Sequence, residues 1–339
     1  MIHSHGSADV LCIDEIAEPE CGSNQVKVNI KSCSINHLDI WVRKGIPGID
    51  IPLPMILGSD GAGVITEIGQ DIKSFKIGDK VVIQPGTYSK ECPKVIEGLE
   101  NLSPTYGILG ETEPGVQCEY VVLGTDNLYP MSNHLSFEEA CSMQLVFMTS
   151  YQMLVKCALL KKEETVLIYG GTSGIGSAAI QIAKDMGCKV IGTAGSNIKL
   201  DHILELGADY AINHSNPSWY KEIKNILKIS QIDVIFEHIG SATWDHSMRL
   251  LGRGGRIVTC GATTGYDVNI DLRYLFSKQQ SIIGSTMSDI DTFRKVQEKI
   301  RNGKYVPFID KVYSLSNIKE AHERIERREN IGKVVLSID

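Results

Sequence analysis

Residues 165–176, Thr-Val-Leu-Ile-Tyr-Gly-Gly-Thr-Ser-Gly-Ile-Gly, constrain this chain more than any other stretch. Thr165–Ile168 is an apolar, β-branched run suited to a strand buried on both faces. Glycines follow at 170, 171, 174 and 176, and residues 177–187 carry Ala179, Ile182, Ala183 and Met186 at helical spacing before Gly187, a helix-ending residue. Strand, glycine turn and helix in that order form a dinucleotide-binding unit: the glycines let the backbone turn sharply and approach a pyrophosphate, and the helix N-terminus offers it unpaired N–H groups. The context supports the motif. A second short strand at 188–193, a helix over 197–206 closed by Gly207, and a third strand near 209–212 complete a βαβαβ half-fold.

A length of 339 residues suggests two domains, and a net charge of −7 disfavours nucleic acid or an anionic membrane as a partner. No apolar run reaches the ~18 residues a bilayer span needs, and the N-terminus shows no export signal. Nine scattered cysteines, never in a Cys-x-x-Cys pair, read as reduced thiols of a cytoplasmic protein.

The first part of the chain predicts a compact, mostly antiparallel β domain. Val26, Val28 and Ile30 alternate as in a half-buried strand, glycines punctuate 58–69, and 80–84 is a further strand. Together with the turn at 170–176, the segments Gly58-Ser-Asp-Gly-Ala-Gly63, Phe75-Lys-Ile-Gly-Asp-Lys-Val-Val82, Gly254-Gly-Arg-Ile-Val258 and Gly332-Lys-Val-Val-Leu336 resemble the medium-chain dehydrogenase/reductase superfamily. Within it the chain looks closest to the zinc-free quinone oxidoreductase and enoyl-reductase branch. The resemblance implies a GroES-like, mostly β catalytic domain over 1–147 and 286–339. It also implies a Rossmann domain, a doubly wound parallel sheet of the α/β class, over 148–285.

The resemblance also bears on metal. Where the family's zinc enzymes carry catalytic zinc ligands, this chain has Asn36, Ser59 and Leu145, and Leu38 stands where their proton-shuttling hydroxyl falls. Catalytic zinc needs about three protein ligands supplying thiolate, imidazole or carboxylate, so none is expected. The positions of the structural zinc cysteines become Ser89, Cys92, Val95 and Ser103, leaving a lobe over 87–105 that resembles a remnant.

The remaining polar group is Asn36, His37, Asp39, Trp41 and Arg43. By resemblance Asn36, Asp39 and Trp41 are assigned to catalysis, with Asn36 donating to a substrate carbonyl and Trp41 walling the cleft, and His37 is assigned to the pyrophosphate. Asn36 also suits a helix cap, and Trp41 plain core. Thr149, on the buried helix expected at 145–155, is placed near the nicotinamide; the alternative is a buried helix threonine bonded to a carbonyl four residues back. After the second strand no acid appears until Asp201. Gly195, Ser196 and Lys199, with His214 beyond the third strand, therefore favour a 2′-phosphate and NADP(H) over NAD(H). Lys199 also fits a solvated helix face.

Gly170, Gly171, Thr172, Ser173, Gly174, Ile175 and Gly176 are assigned to the cofactor, as are the strand tips Ile239, Gly261 and Ser285. Glu237 and His238 read as loop residues rather than an acid–base pair. Lys333 is a candidate on the cofactor side that otherwise reads as a surface lysine. The expected activity is a cytoplasmic, zinc-independent, NADPH-dependent reductase of a quinone or an α,β-unsaturated carbonyl or enoyl thioester. It would act on a small-molecule electron acceptor as a homodimer or tetramer, with neither nucleic acid nor membrane as partner. Two other readings compete: an alcohol dehydrogenase with unorthodox zinc ligands among Cys33, His37, Asp60 and Cys141, and a non-enzymatic NADPH-binding redox sensor.

Overall fold

The computed structural model describes residues 1–227 and 231–338. The chain forms two compact units, one of Met1–Leu145 with Asp289–Asp339 and the other of Val146–Ser288. Among the described residues no helix is long and apolar enough to cross a membrane.

The first unit is built on strands β1 (Gln25–Ile35), β2 (Asp60–Ile68), β3 (Lys80–Ile83), β4 (Gly86–Thr87), β5 (Gly107–Ile108), β6 (Tyr120–Gly124) and β7 (Leu128–Pro130). The second unit then contributes β8 (Thr165–Ile168), β9 (Lys189–Ala194), β10 (Tyr210–Asn213), β11 (Ile232–Glu237), β12 (Leu251–Thr259) and β13 (Ser281–Gly284). On its return to the first unit the chain adds β14 (Ile309–Ser314) and β15 (Lys333–Ser337). Seven of these form the sheet β14-β15-β1-β2-β3-β7, with β6 also paired to β1, while β4 and β5 make a small separate ladder.

Strand β1 is central to the first unit. Its Val26, Val28 and Ile30 enter the core with Ile65, Val81, Ile83, Val334 and Leu336, closed by the helix Ile318–Glu326 through Ile318, Ala321 and Ile325. The alternation read from the sequence ends midway along the strand: Ser32, Cys33, Ser34 and Ile35 are all buried. Both faces are covered there, and the Ser34 hydroxyl meets its hydrogen-bonding need at the Cys141 carbonyl, 3.1 Å away, and the Asp60 carboxylate.

Pairing register decides what gathers at the end of β1. Strand β15 runs antiparallel to it with Cys33 opposite Leu336 and Ile35 opposite Val334, and β2 lies on its other side with Ser34 opposite Asp60. One step further the same register sets Asn36 against Lys333. Three residues more than 270 positions apart at the extremes thus meet at one strand end.

The second unit is a six-stranded, wholly parallel sheet in the order β10-β9-β8-β11-β12-β13. That is third, second, first, fourth, fifth, sixth: the doubly wound dinucleotide order, with its switch point beside β8. All four β8 residues are buried, as an apolar run flanked by strands on both sides requires. Both expected fold classes are therefore present. Details differ: β12 begins at Leu251 rather than Gly255, and the helix Gln144–Tyr151 passes into a π-helical segment, Gln152–Cys157, where one continuous helix was expected.

Candidate active site

In the first unit Asn36 takes the helix-cap role weighed for it. It is the N-cap of the helix His37–Lys44, whose Asp39 accepts the Asn36 backbone N–H at 2.7 Å. Its side-chain amide is held by two charges. Lys333 Nζ donates to Asn36 Oδ1 at 2.5 Å, and Asn36 Nδ2 donates to Asp60 Oδ2 at 2.9 Å. Lys333 also donates to Asp60 Oδ2 at 3.0 Å, and Ser34 Oγ donates to the same oxygen at 3.0 Å. The other Asp60 oxygen accepts the Leu145 N–H at 2.8 Å. All of these side chains are buried, Lys333 at 5% exposure.

The surface reading of Lys333 is thus corrected. Its ammonium is desolvated and is balanced by a carboxylate and an amide oxygen, the arrangement a buried charge needs. Asp60 enters the same group, although the sequence offered it only as an unorthodox metal ligand.

Asp39 is fully buried, and both its oxygens are engaged by backbone donors, Asn36 N–H and Gly58 N–H, the latter at 2.8 Å. Burial pushes its carboxyl up to about 6, against the pull of those two donors and of Lys333. It clasps the Asn36 turn to the Gly58 turn. Trp41 is half-buried and His37 exposed, their rings 6.1 Å apart. Arg43 lies fully buried, paired with Glu326 at 2.9 Å, so it belongs to the packing of the helix Ile318–Glu326.

The positions aligned with zinc ligands offer a poor donor set. Ser59 Oγ donates to the Leu109 carbonyl at 2.8 Å, and the Asn36 amide is committed as above. Among the described residues, the His, Cys and acidic ligand atoms close enough to share one ion are those of His3, Cys12 and Asp14, outside this group. In the 87–105 lobe the Cys92 thiol, held below its usual range by its bond to Ser103, meets one of the aligned positions. An open cavity of about 540 Å³ lined by Lys73, Tyr88, Lys90, Glu113 and Asp126 includes none of the expected site residues.

In the second unit the glycine turn has the shape its sequence demands. Gly170 adopts φ +57°, and Gly171 N–H bonds the Thr193 carbonyl of β9 at 2.8 Å. Ser173 caps the helix Gly174–Asp185, its hydroxyl accepting the Gly176 N–H at 3.0 Å. A Cβ added at Gly176 would lie 2.2 Å from the Gly170 carbonyl oxygen, so helix and turn are packed as closely as backbone allows. This is the cradle a pyrophosphate requires. A further sign is Thr149, whose buried Oγ1 has no hydrogen-bond partner. The carbonyl bond of a buried helix threonine is not made.

Because the sheet is parallel, the residues after β8, β9, β10, β11, β12 and β13 share one edge. Gly170–Gly176, Gly195, His214, Ile239, Gly261 and Ser285 all fall there. Gly195, Ser196 and His214 stay together: a Cβ on Gly195 would be 3.3 Å from His214 Nε2, whose ring partner Nδ1 meets Thr193 Oγ1 at 3.1 Å. Lys199 lies one turn into the helix Asn197–Glu205 that Ser196 caps.

Glu237 is the last residue of β11 rather than part of a loop. Its buried carboxylate accepts from the N–H groups of Ile239 and Gly240 at 2.6 and 3.1 Å and from Thr243 Oγ1 at 2.8 Å. His238 Nε2–H donates to the Tyr169 carbonyl at 2.9 Å beneath the glycine turn, and burial holds its pKa down. Neither is arranged for acid–base work; both brace the strand ends.

Comparison with known proteins agrees with both units. Residues 22–133 match the family described as alcohol dehydrogenase GroES-like domain, and residues 174–302 that described as zinc-binding dehydrogenase. The chain is 31% identical to crotonyl-CoA reductase of Streptomyces collinus, over 95% of this chain and 80% of that protein. It is 28% identical to human quinone oxidoreductase, over 99% and 96%. A solved NAD-dependent alcohol dehydrogenase superposes with a TM-score of 0.96 at 38% identity, covering 100% of this chain and 98% of that one. A 2-octenoyl-CoA carboxylase reductase in complex with NADP and 2-octenoyl-CoA does so with a TM-score of 0.88 at 28% identity, covering 97% and 82%.

Proposed function

The chain belongs to the medium-chain dehydrogenase/reductase superfamily, an enzyme family, and from that premise we propose that it is a zinc-independent, NADPH-dependent reductase. Its acceptor would be a quinone or the activated double bond of an α,β-unsaturated carbonyl or enoyl thioester. The observation that carries this reading is the Asn36 amide, fixed between Lys333 and Asp60 where a zinc ligand would otherwise stand. An amide, a hydroxyl and a leucine do not form a zinc site.

The residues that would hold the cofactor are the Gly170–Gly176 cradle for the pyrophosphate, Gly195, Ser196, Lys199 and His214 for the 2′-phosphate, and Thr149 for the nicotinamide side. Bound NADPH supplies a hydride. In an enone or enoyl thioester the reduction would place negative charge on the carbonyl oxygen. Asn36 Nδ2–H donates to that oxygen as negative charge grows on it. A preorganised donor of this kind contributes about 2.7–4 kcal/mol, a factor of 10²–10³ in turnover.

A second reading, an NAD-dependent alcohol dehydrogenase, draws on the 38% identical structure of that description. One set of measurements separates them: NADPH and NADH oxidation against quinones, enones and enoyl thioesters, NAD⁺ reduction by alcohols, and metal content of the purified protein. The proposed reading expects NADPH oxidation that survives chelation and falls about 10²-fold in N36A. Alcohol oxidation with one zinc per chain would replace it with the second.

A further inference from the structure

We propose that Lys333 is a positioning residue for the reaction: it sets which way the Asn36 amide faces and lends its charge to the donor that meets the substrate oxygen. The proposal rests on the reading of Asn36 given above and goes beyond it.

An asparagine amide has two ends of similar shape, and its neighbours decide the orientation. Here the neighbours carry opposite charges. Lys333 Nζ, which can only donate, lies 2.5 Å from Oδ1; the Asp60 carboxylate, which when ionised can only accept, lies 2.9 Å from Nδ2. Turning the amide over would press its N–H₂ group against an ammonium and its oxygen against a carboxylate. Buried as all three are, that arrangement is strongly disfavoured. Nδ2 therefore keeps one N–H on Asp60, and its second N–H is left to point away from the pair. The bond from Lys333 to Oδ1 also withdraws electron density from the amide, which makes that second N–H a better donor.

Asp60 completes the device. It offsets the Lys333 charge and is itself held by Ser34 Oγ and the Leu145 N–H, so the whole group rests on strands β1, β2 and β15 and not on a mobile loop. Lys333 acts through Asn36 and touches no substrate in this scheme. That separates it from a lysine that binds the cofactor's phosphates.

The test compares wild type with K333M, K333R, N36A and N36A/K333M, measuring kcat with the best acceptor and KM for NADPH. K333M leaves the Asp60 carboxylate buried without its counter-ion, so K333M/D60N, which removes both charges, is made alongside. The expected results are a fall in kcat of roughly 10- to 100-fold in K333M and K333M/D60N, KM for NADPH within about twofold, and partial recovery in K333R. N36A/K333M should be no slower than N36A, because the lysine has nothing left to orient. A raised KM for NADPH with unchanged kcat, or losses that multiply in the double variant, would overturn the proposal. The Asn36 side-chain NH₂ resonances give a readout free of any acceptor. They should move or broaden in K333M/D60N while amides of the glycine turn stay in place, and unchanged resonances refute the orienting role. A wild-type enzyme that fails to oxidise NADPH with any quinone, enone or enoyl thioester offered would defeat the functional reading, and the resonances would still decide this one.

Discussion

Replacing Gly176 with alanine puts one methyl group where the structure has no room. The new Cβ would lie 2.2 Å from the Gly170 carbonyl oxygen, 2.8 Å from its carbon and 3.0 Å from Gly171 Cα, whereas ordinary contact begins at 3.4 Å. All three are backbone atoms, so no side chain can swing aside; the helix start must back away from the turn by about 1 Å. Overpacking of this kind costs about 1–3 kcal/mol of stability. The same displacement carries the helix's N-terminal N–H groups away from a pyrophosphate. A charge-assisted hydrogen bond contributes ~1.5–3 kcal/mol, so losing one weakens binding by roughly 10- to 100-fold. Two other glycines are compared with it, Gly171 in the same turn and Gly284 outside it as the control. At Gly171 the added atom meets the flexible end of Ile203 at 2.9 Å, and at Gly284 it meets nothing within 4 Å. The assay is NADPH fluorescence titration together with thermal melting of the three variants. The reasoning is refuted if G176A binds NADPH within twofold of wild type and melts with it, or if G284A suffers equally.

Other expectations follow from the same geometry. His322 is buried beside Arg43 and its pKa is lowered to about 3, chiefly by burial, so the folded unit binds fewer protons than the unfolded chain between there and about 6.5, and its share of stability, at most ~1.4 kcal/mol per pH unit, is lost as pH falls through that window. Asp39, raised to about 6, works in the opposite sense: its stabilising share is full below about 3.8 and is lost as pH rises toward 6. Over pH 4–6 the two largely cancel. Relative to wild type, H322Q should therefore gain stability on acidification and D39N should lose it, measured by urea unfolding with hydrogen exchange on the β1 amides; parallel pH profiles for all three proteins would contradict both assignments. K199A should raise the Kd for NADPH roughly 10- to 100-fold and leave NADH unchanged, and equal effects on the two coenzymes would remove Lys199 from the 2′-phosphate. Strand β13 is a sheet edge, and Tyr266, Leu272 and Phe276 nearby in sequence are 74%, 64% and 72% exposed. On the reading that two chains join through this edge, L272E/F276E should sediment as a monomer where wild type sediments as a dimer, and a wild-type monomer would dispose of the idea.

Much of the second unit was legible because its determinants are local. Five glycines, a capping serine and two runs of opposite periodicity lie within 165–187, and each acts on backbone a few residues away. The same holds for Asn36 as a cap, since Asp39 is three residues on. The sequence was less informative at Glu237, where a strand-end carboxylate bracing its own backbone looks from composition alone like half of an acid–base pair.

Lys333 marks the boundary between the two kinds of information. By composition a lysine belongs in water, and nothing within ten residues of it says otherwise. Its burial follows from the register of β15 on β1, and the charge that makes burial tolerable comes from Asp60, at the start of β2. Residue order alone determined the glycine turn and the absence of zinc-type side chains at the aligned positions, because both depend on which residues stand at fixed short spacings. Tertiary structure alone decided which way the Asn36 amide faces, because that depends on two opposite charges brought to one strand end by pairings that span most of the chain.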